Sequence, residues 1–404
     1  MLKKIQVQDL GIGMYIHEIC ASWMDNPFWK KSFMLSNEKD LRTFHEYRIK
    51  EVWIDTSKGL DVSFKAKTVS MEEEKQQINE TLEQIAVEEH KIQRRVPLHD
   101  EIERFKKVMP EIKRGVISIF DDVRDGNPID IDLVSKMVDD ISFSNDRNPD
   151  AMLTMVRQKS ANDYNYMHSI AVSGLMMALG KELDLDRGTI KEVGVAGLLL
   201  DIGKVKIPKE IINKAGKLTT QEFDKIKTHP LLGFETLKLS NDLSDIVLDV
   251  CLHHHERIDG DGYPHRLAGD NIGYYARMAS ICDVYDAISS TRSYQASWEP
   301  AESLRKMTEW KKGQFDEKMF GSFVKAVGIY PSGTLVKLKS GRLAVVMEQT
   351  EASLLKPIVK VFFSVHSNAH IYPELLDLST SPDSIVTREE PKQWGFDLKK
   401  ISQI

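Results

Sequence analysis

The chain is 404 residues long, 41% apolar and 29% charged, with a formal net charge of −6. That balance suits a globular protein of two or three domains and argues against DNA binding through bulk electrostatics. Three widely spaced cysteines, Cys20, Cys251 and Cys282, form no CxxC pair and exclude a disulfide scaffold.

Met1–Gln6 lacks the apolar core of a signal peptide, and no run reaches the roughly 18 apolar residues that span a bilayer. A cytoplasmic protein with no membrane partner is expected. Ile5–Val7 and Met14–Ile16 read as strands, the second entered through a turn at Gly11 and Gly13. Leu41, Phe44 and Tyr47 fall at helical spacing behind an N-cap region at Ser36–Glu38, and Glu51–Asp55 alternates as a strand. Trp23, Phe28 and Trp29 around Pro27 read as a small core. Residues 69–95 favour helix, with Ile78, Leu82, Ile85 and Ile92 in one stripe. That stripe suits either a homodimer or a connector packed on its own chain. A second helix carries Ile102, Phe105, Val108 and Met109, kinks at Pro110 and resumes through Ile119. Ile131–Ile141 is a third, short helix after the turn at Gly126–Pro128.

From Pro149 to Gly328 the pattern is almost wholly helical, with loops at 201–218 and 253–273. It then changes to period two over Leu335–Leu338, Leu343–Met347 and Ile358–Phe363, a short β-meander, followed by an irregular polar tail beyond Pro382.

The chemistry concentrates in four places. His168 stands at the start of an apolar helix. Asp201 ends another, just before Gly203 and Lys204. His229 precedes Pro230. The stretch from Leu252 to Tyr294 holds His253, His254, His255, Glu256, Asp259, the turn Gly260–Pro264, Asp283, Asp286 and Arg292. Three adjacent histidines alone more often sit on a solvated loop. An acid at the end of an apolar helix, however, is expensive to bury unless it is paired or metal-bound. His168, Asp201, His229, His254, His255 and Asp283 together make a set of nitrogen and oxygen ligands that suits zinc, iron or manganese. One carboxylate bridging two cations is the arrangement of two-metal phosphohydrolases.

Over about residues 149–328 the chain resembles an HD-GYP domain, a bacterial branch of the HD-domain phosphohydrolases. The resemblance rests on Asp201–Lys204, Ile207–Pro208, Lys214–Leu218, His254–Glu256, Asp259–Pro264 and Asp283–Ile288 in order and spacing. Residues 1–130 resemble the uncharacterised domain that often precedes HD-GYP domains, through Gly13–Ile16, Pro27–Phe28 and Val52–Asp55. The resemblance implies a mainly α, multidomain chain. Its parts would be a small α/β N-terminal domain with a helical connector (1–128, the α/β part to about 68), an all-helical HD-GYP core (129–328) and a small β-meander or barrel with a tail (329–404).

It also implies hydrolysis of cyclic di-GMP, or of a related cyclic dinucleotide such as cyclic GMP-AMP, to linear pGpG and GMP in bacterial signalling. Two divalent ions would serve, one on His168, Asp201 and Asp283, the other on Asp201, His229, His254 and His255. Lys204 would neutralise a phosphate oxygen. Tyr263, Asp286 and Arg292 would face the substrate, Arg292 with a planar fork suited to phosphate or guanine. Glu256 would orient an imidazole, and His253 is a bystander.

Three positions depart from the family pattern. The histidine expected immediately before Asp201 is Leu200, which cannot ligate, so one ion is left with three protein ligands. Tyr164 stands where trinuclear members carry Glu, which removes the basis for a third metal. Gln295 replaces a substrate-facing Lys. The alternative these raise is a degenerate domain that acts as a cyclic dinucleotide receptor or as a scaffold for signalling partners, without turnover.

Overall fold

The computed structural model describes residues 1–20, 32–63, 66–87, 96–156, 164–212, 214, 216, 218–240, 242–290, 298–350, 353–396 and 398–401. The expected aromatic cluster around Pro27 lies outside them. The chain divides into two units, Met1–Leu82 with Thr308–Trp310, and Glu83–Met307 with Lys311–Ile404.

The first unit contains β1 (Leu2–Gln6), β2 (Tyr15–Ile19), β3 (Phe33–Met34), α1 (Glu38–Glu46), β4 (Glu51–Asp55) and β5 (Val69–Ser70). The strands form one antiparallel sheet in the order β3-β2-β4-β1-β5. β4 lies at its centre, and Val52, Trp53 and Ile54 are all buried. Asn37 caps α1 by accepting the Asp40 N–H at 2.8 Å, so Phe44 is turned inward to pack with Ile16, Val52 and Ile54. α2 (Met71–Val87) follows. Ile78 and Leu82 of its apolar stripe are already buried in the single chain.

The helical core opens with α3 (Leu98–Asp125), which runs through Pro110 without ending there. Pro110 is exposed, so the carbonyl deprived of its donor can turn to water. α4 (Ile131–Arg147) is longer than its apolar pattern predicts. Its last turns are largely polar, yet Ser144 and Asn145 are buried, and Asn145 donates to the Gly174 carbonyl at 2.8 Å. Arg147 makes a bidentate pair with the buried Glu101, tying the end of α4 to α3.

α5 (Pro149–Val156), α6 (Tyr164–Glu182), α7 (Arg187–Leu199), α8 (Lys209–Ile212), α9 (Thr220–Ile226), α10 (His229–Leu237), α11 (Asp245–His253), α12 (Tyr274–Ser289), α13 (Pro300–Gln314) and α14 (Glu317–Val327) complete the core. α6 and α12 are apolar on nearly every face and pack against each other at its centre, as helices without a polar side must. No helix among the described residues is long and apolar enough to cross a membrane.

A second antiparallel sheet is formed by β6 (Leu335–Leu338), β7 (Arg342–Glu348), β8 (Ile358–Ser364), β9 (Ala369–Asp377) and β10 (Ile385–Arg388), in the order β10-β6-β7-β8-β9. Two of these strands were not expected. β9 holds Pro373 and shows little burial, which an edge strand tolerates. β10, with α15 (Pro391–Trp394) and α16 (Leu398–Ile401), corrects the expectation of an irregular tail. Trp394 and Phe396 pack edge-on against Phe363 at 5.9 and 5.1 Å, and that aromatic burial orders the segment.

Candidate metal centre

Five segments of the helical core deliver the expected ligands. His168 lies near the start of α6. Asp201 follows Leu200, the C-cap of α7, and caps the 3-10 turn Ile202–Lys206. His229 opens α10, His254 and His255 follow α11, and Asp283 lies within α12. A Cβ on Gly203 would sit 2.0 Å from the His229 carbonyl oxygen and 2.4 Å from the Gly233 nitrogen. Only a glycine lets the turn carrying Asp201 lie directly on the first turn of α10, which carries His229.

Side-chain atoms of Asp201, His229, His254 and His255 that could bind a metal lie within 4.8 Å of one another, all buried. His229 Nε2 is 3.2 Å and His254 Nε2 3.8 Å from Asp201 Oδ1. On the other side of Asp201, His168 Nε2 lies 3.5 Å from its Oδ2 and 2.9 Å from Asp283 Oδ1. Asp283 Oδ2 is 3.6 Å from His255 Nδ1. Lys204 pairs with Asp201 Oδ2. The six residues read as ligands are thus brought together.

Hydrogen bonds to backbone carbonyls orient two of these rings. His229 Nδ1 donates to the Ile226 carbonyl at 2.8 Å, and His254 Nδ1 to the carbonyls of Val250 and Cys251 at 3.1 and 3.0 Å. Each ring in its neutral form then turns a bare Nε2 lone pair inward, and the two Nε2 atoms are 3.3 Å apart. Asp201 Oδ1, buried beside them, has no hydrogen-bond partner among the described residues. With the rings neutral, three lone-pair donors face one another and repel, and a divalent cation with nitrogen and oxygen preferences resolves that repulsion. The residues fit a metal.

The ionisation states agree. Burial, with help from the neighbouring His229, pushes His254 down to about 4. Burial also holds His255 well below its ordinary value, reinforced by His254 and His229. Both are neutral near pH 7, as ligands must be. Burial opposes the charge of Asp201, but Lys204 and His229 outweigh it and hold the carboxyl well below its usual range. Asp283 is lowered in the same way by His168. His168 itself is raised despite burial, by hydrogen bonds to Asp283 and Asp286.

The remaining expected residues divide. Asp286 was expected to face substrate. It is buried behind His168 instead, with Oδ2 2.6 Å from His168 Nδ1 and Oδ1 accepting from Ser290. A carboxylate there fixes the tautomer and orientation of a metal-binding imidazole. Asp283 and Asp286 are three apart, on one face of α12, and so reach the two nitrogens of the one ring, a pairing that the spacing alone does not reveal. Glu256 reaches no imidazole; its oxygens accept the backbone N–H groups of His265 and Leu267 at 2.7 and 3.0 Å. His253 pairs with Asp249 and His265. Tyr263 stacks on His255, ring centroids 4.7 Å apart. Leu200 is fully buried at the end of α7. Arg292, Gln295 and the side chain of Tyr164 lie outside the described residues.

A family model for a domain of unknown function (DUF3391) matches residues 2–134, and one for the HD domain matches residues 145–319. The chain is 46% identical over 399 residues to the cyclic di-GMP phosphodiesterase PA4108 of Pseudomonas aeruginosa, covering 98% of this chain and 94% of that one. The chain belongs to the HD-GYP family of HD-domain proteins. Two further relatives match over shorter stretches. The cyclic di-GMP phosphodiesterase response regulator RpfG of Xanthomonas campestris is 38% identical over 128 residues, 31% of this chain and 33% of its own. The 3'3'-cGAMP-specific phosphodiesterase 1 of Vibrio cholerae is 34% identical over 176 residues, 43% of this chain and 41% of its own.

Proposed function

We propose that the chain is a metal-dependent phosphodiesterase that opens cyclic di-GMP to linear pGpG, with GMP as a further product. The observation that carries this reading is the buried convergence of the Asp201 carboxylate with the inward lone pairs of His229 and His254. Two divalent ions, of iron, manganese or zinc, would be held by His168, Asp201 and Asp283 and by Asp201, His229, His254 and His255. When bound they supply Lewis-acid charge and a nucleophile at neutral pH. Asp201, placed between the two ligand groups, spans them. Lys204 brings its ammonium beside Asp201, where it neutralises a non-bridging phosphate oxygen. Asp286 keeps Nδ1 of His168 occupied, so that Nε2 faces the centre. Arg292 is assigned to the phosphate or guanine by its chemistry alone.

A second reading, a cyclic dinucleotide receptor without turnover, is favoured by Leu200, an apolar side chain where an imidazole is expected. Anaerobic assays with manganese or ferrous iron, following cyclic di-GMP and cyclic GMP-AMP by chromatography, separate the two. Turnover lost in Asp201→Ala supports the enzyme. Binding without turnover in the wild type supports the receptor and sinks the proposal.

The division into residues 1–128, 129–328 and 329–404 goes with this reading, supported by the extents of the two family matches and by the separate sheet after Gly328. A cytoplasmic location is part of it, supported by three free cysteines. A homodimer through residues 69–95 draws nothing from Ile78 and Leu82, which are buried within one chain; sedimentation velocity reads it directly.

A further inference from the structure

Four imidazoles enter the centre, and three are oriented by a hydrogen bond at their outer nitrogen. Asp286 holds His168, the Ile226 carbonyl holds His229, and the carbonyls of Val250 and Cys251 hold His254. The His255 ring has no such bond among the described residues; the nearest carboxylate oxygen is 3.6 Å from its Nδ1. Its ring is placed by packing instead. Tyr263 stacks on one face at 4.7 Å and 29°, and His229 stands edge-on at 5.0 Å and 85°. A ring torsion of this kind is broad and roughly two-fold unless something fixes it.

Tyr263 is itself held with unusual redundancy for a loop residue. Its N–H donates to the His255 carbonyl at 3.2 Å. A Cβ on the preceding Gly262 would lie 2.5 Å from both the Glu256 Cα and the Arg257 nitrogen, so the loop backbone is pressed against the backbone of the ligand segment. Glu256, only 1% exposed, clasps the loop beyond through the N–H groups of His265 and Leu267. His253 reaches the same loop through His265 at 3.1 Å.

We infer that Tyr263 is a positioning residue for the His255 ligand, and that Glu256 acts on His255 through the loop that carries Tyr263. This rests on the metal-site reading above, and the test keeps the two apart. Zinc(II) affinity is measured for each equivalent by competition with a chromophoric chelator, in wild type, Tyr263→Phe, Tyr263→Leu and Glu256→Gln, with melting curves as a folding check. Tyr263→Phe keeps the ring and should hold zinc as the wild type does. Tyr263→Leu should weaken one equivalent by about 10- to 100-fold, the range seen when an outer partner of a metal ligand is removed. Its KM for cyclic di-GMP at saturating metal should stay within about twofold, while kcat falls. Glu256→Gln, which keeps shape but replaces one acceptor by a donor facing an N–H, should weaken the same equivalent, and it carries the test if Tyr263→Leu does not fold. Unchanged zinc affinity in both Tyr263→Leu and Glu256→Gln overturns the inference. So does a raised KM with metal binding intact, which would make Tyr263 a substrate contact. A wild type that binds no zinc, manganese or iron removes the metal site itself.

Discussion

Gly203→Ala tests whether backbone contact sets the spacing of the centre. The new Cβ would lie 2.0 Å from the His229 carbonyl oxygen, 2.4 Å from the Gly233 nitrogen and 2.9 Å from the Gly233 Cα. Ordinary contact begins at 3.4 Å, so the carbonyl must retreat by about 1.4 Å. All three obstacles are backbone, and none can swing aside as a side chain would. The 3-10 turn and α10 must therefore part, carrying Asp201 away from His229, now 3.2 Å apart. Overpacking of this kind costs about 1–3 kcal/mol of stability, which leaves a folded protein. Metal sites tolerate displacements of only about 0.2 Å, and a misplacement near 1 Å costs on the order of 100-fold in rate. The variant should melt somewhat lower, lose bound metal on dialysis and hydrolyse cyclic di-GMP about 100-fold more slowly. Elemental analysis and single-turnover assays read both effects. Wild-type metal content and rate in a folded Gly203→Ala protein would refute the argument that this close approach positions Asp201.

Asp286→Asn should keep the fold but weaken metal binding about 10- to 100-fold, because an amide no longer stabilises the His168 N–H as a carboxylate does; calorimetric metal titration checks it, and unchanged affinity returns Asp286 to the substrate side. Lys204→Gln should lower kcat/KM by about 100-fold with metal content retained, measured by steady-state assay beside elemental analysis. Leu200→His should raise metal retention in one of two equivalents after dialysis against chelator; no change would mean the centre is adapted to three protein ligands there. Glu101→Gln should cost about 1–3 kcal/mol, read from the urea midpoint. Arg147 can turn partly to water, its side chain being 36% exposed, which keeps the loss toward the lower end.

Much of the cluster was legible because its candidate ligands are rare residue types in apolar surroundings. Asp201 after Leu198–Leu200 and His168 before Ile170–Val172 announce themselves by the cost of burying them. The core helix α6 was legible for the related reason that a helix without a polar face has only one place to go. What stayed hidden depends on partners remote in sequence. Asp286 and His168 are 118 residues apart, and nothing local distinguishes a carboxylate that orients an imidazole from one that meets substrate. Glu256 looks like a neighbour of the histidines but serves backbone groups 9 and 11 residues on. β9 was masked by Pro373 and by its exposure. The final helices were masked because Trp394 and Phe396 follow no period and find their partner, Phe363, in a strand about thirty residues back.

Leu200 bears unequally on the two halves of the centre. The half around His229, His254 and His255 is rich in imidazole, burial keeps His254 and His255 neutral near pH 7, and the Nε2 atoms of His229 and His254 lie beside the Asp201 oxygen. A cation there meets two imidazoles, His254 and His255, that burial already keeps unprotonated. The other half offers one imidazole and two carboxylates, and that imidazole is spanned by acids on both nitrogens, Asp283 at 2.9 Å and Asp286 at 2.6 Å. A cation there must displace the proton that Asp283 now shares with His168, and it gains only that one nitrogen. The missing histidine belongs to this second half by the family pattern. A restored imidazole would therefore strengthen the equivalent that starts out weaker, and for that reason Leu200→His should change retention of one ion and not of both.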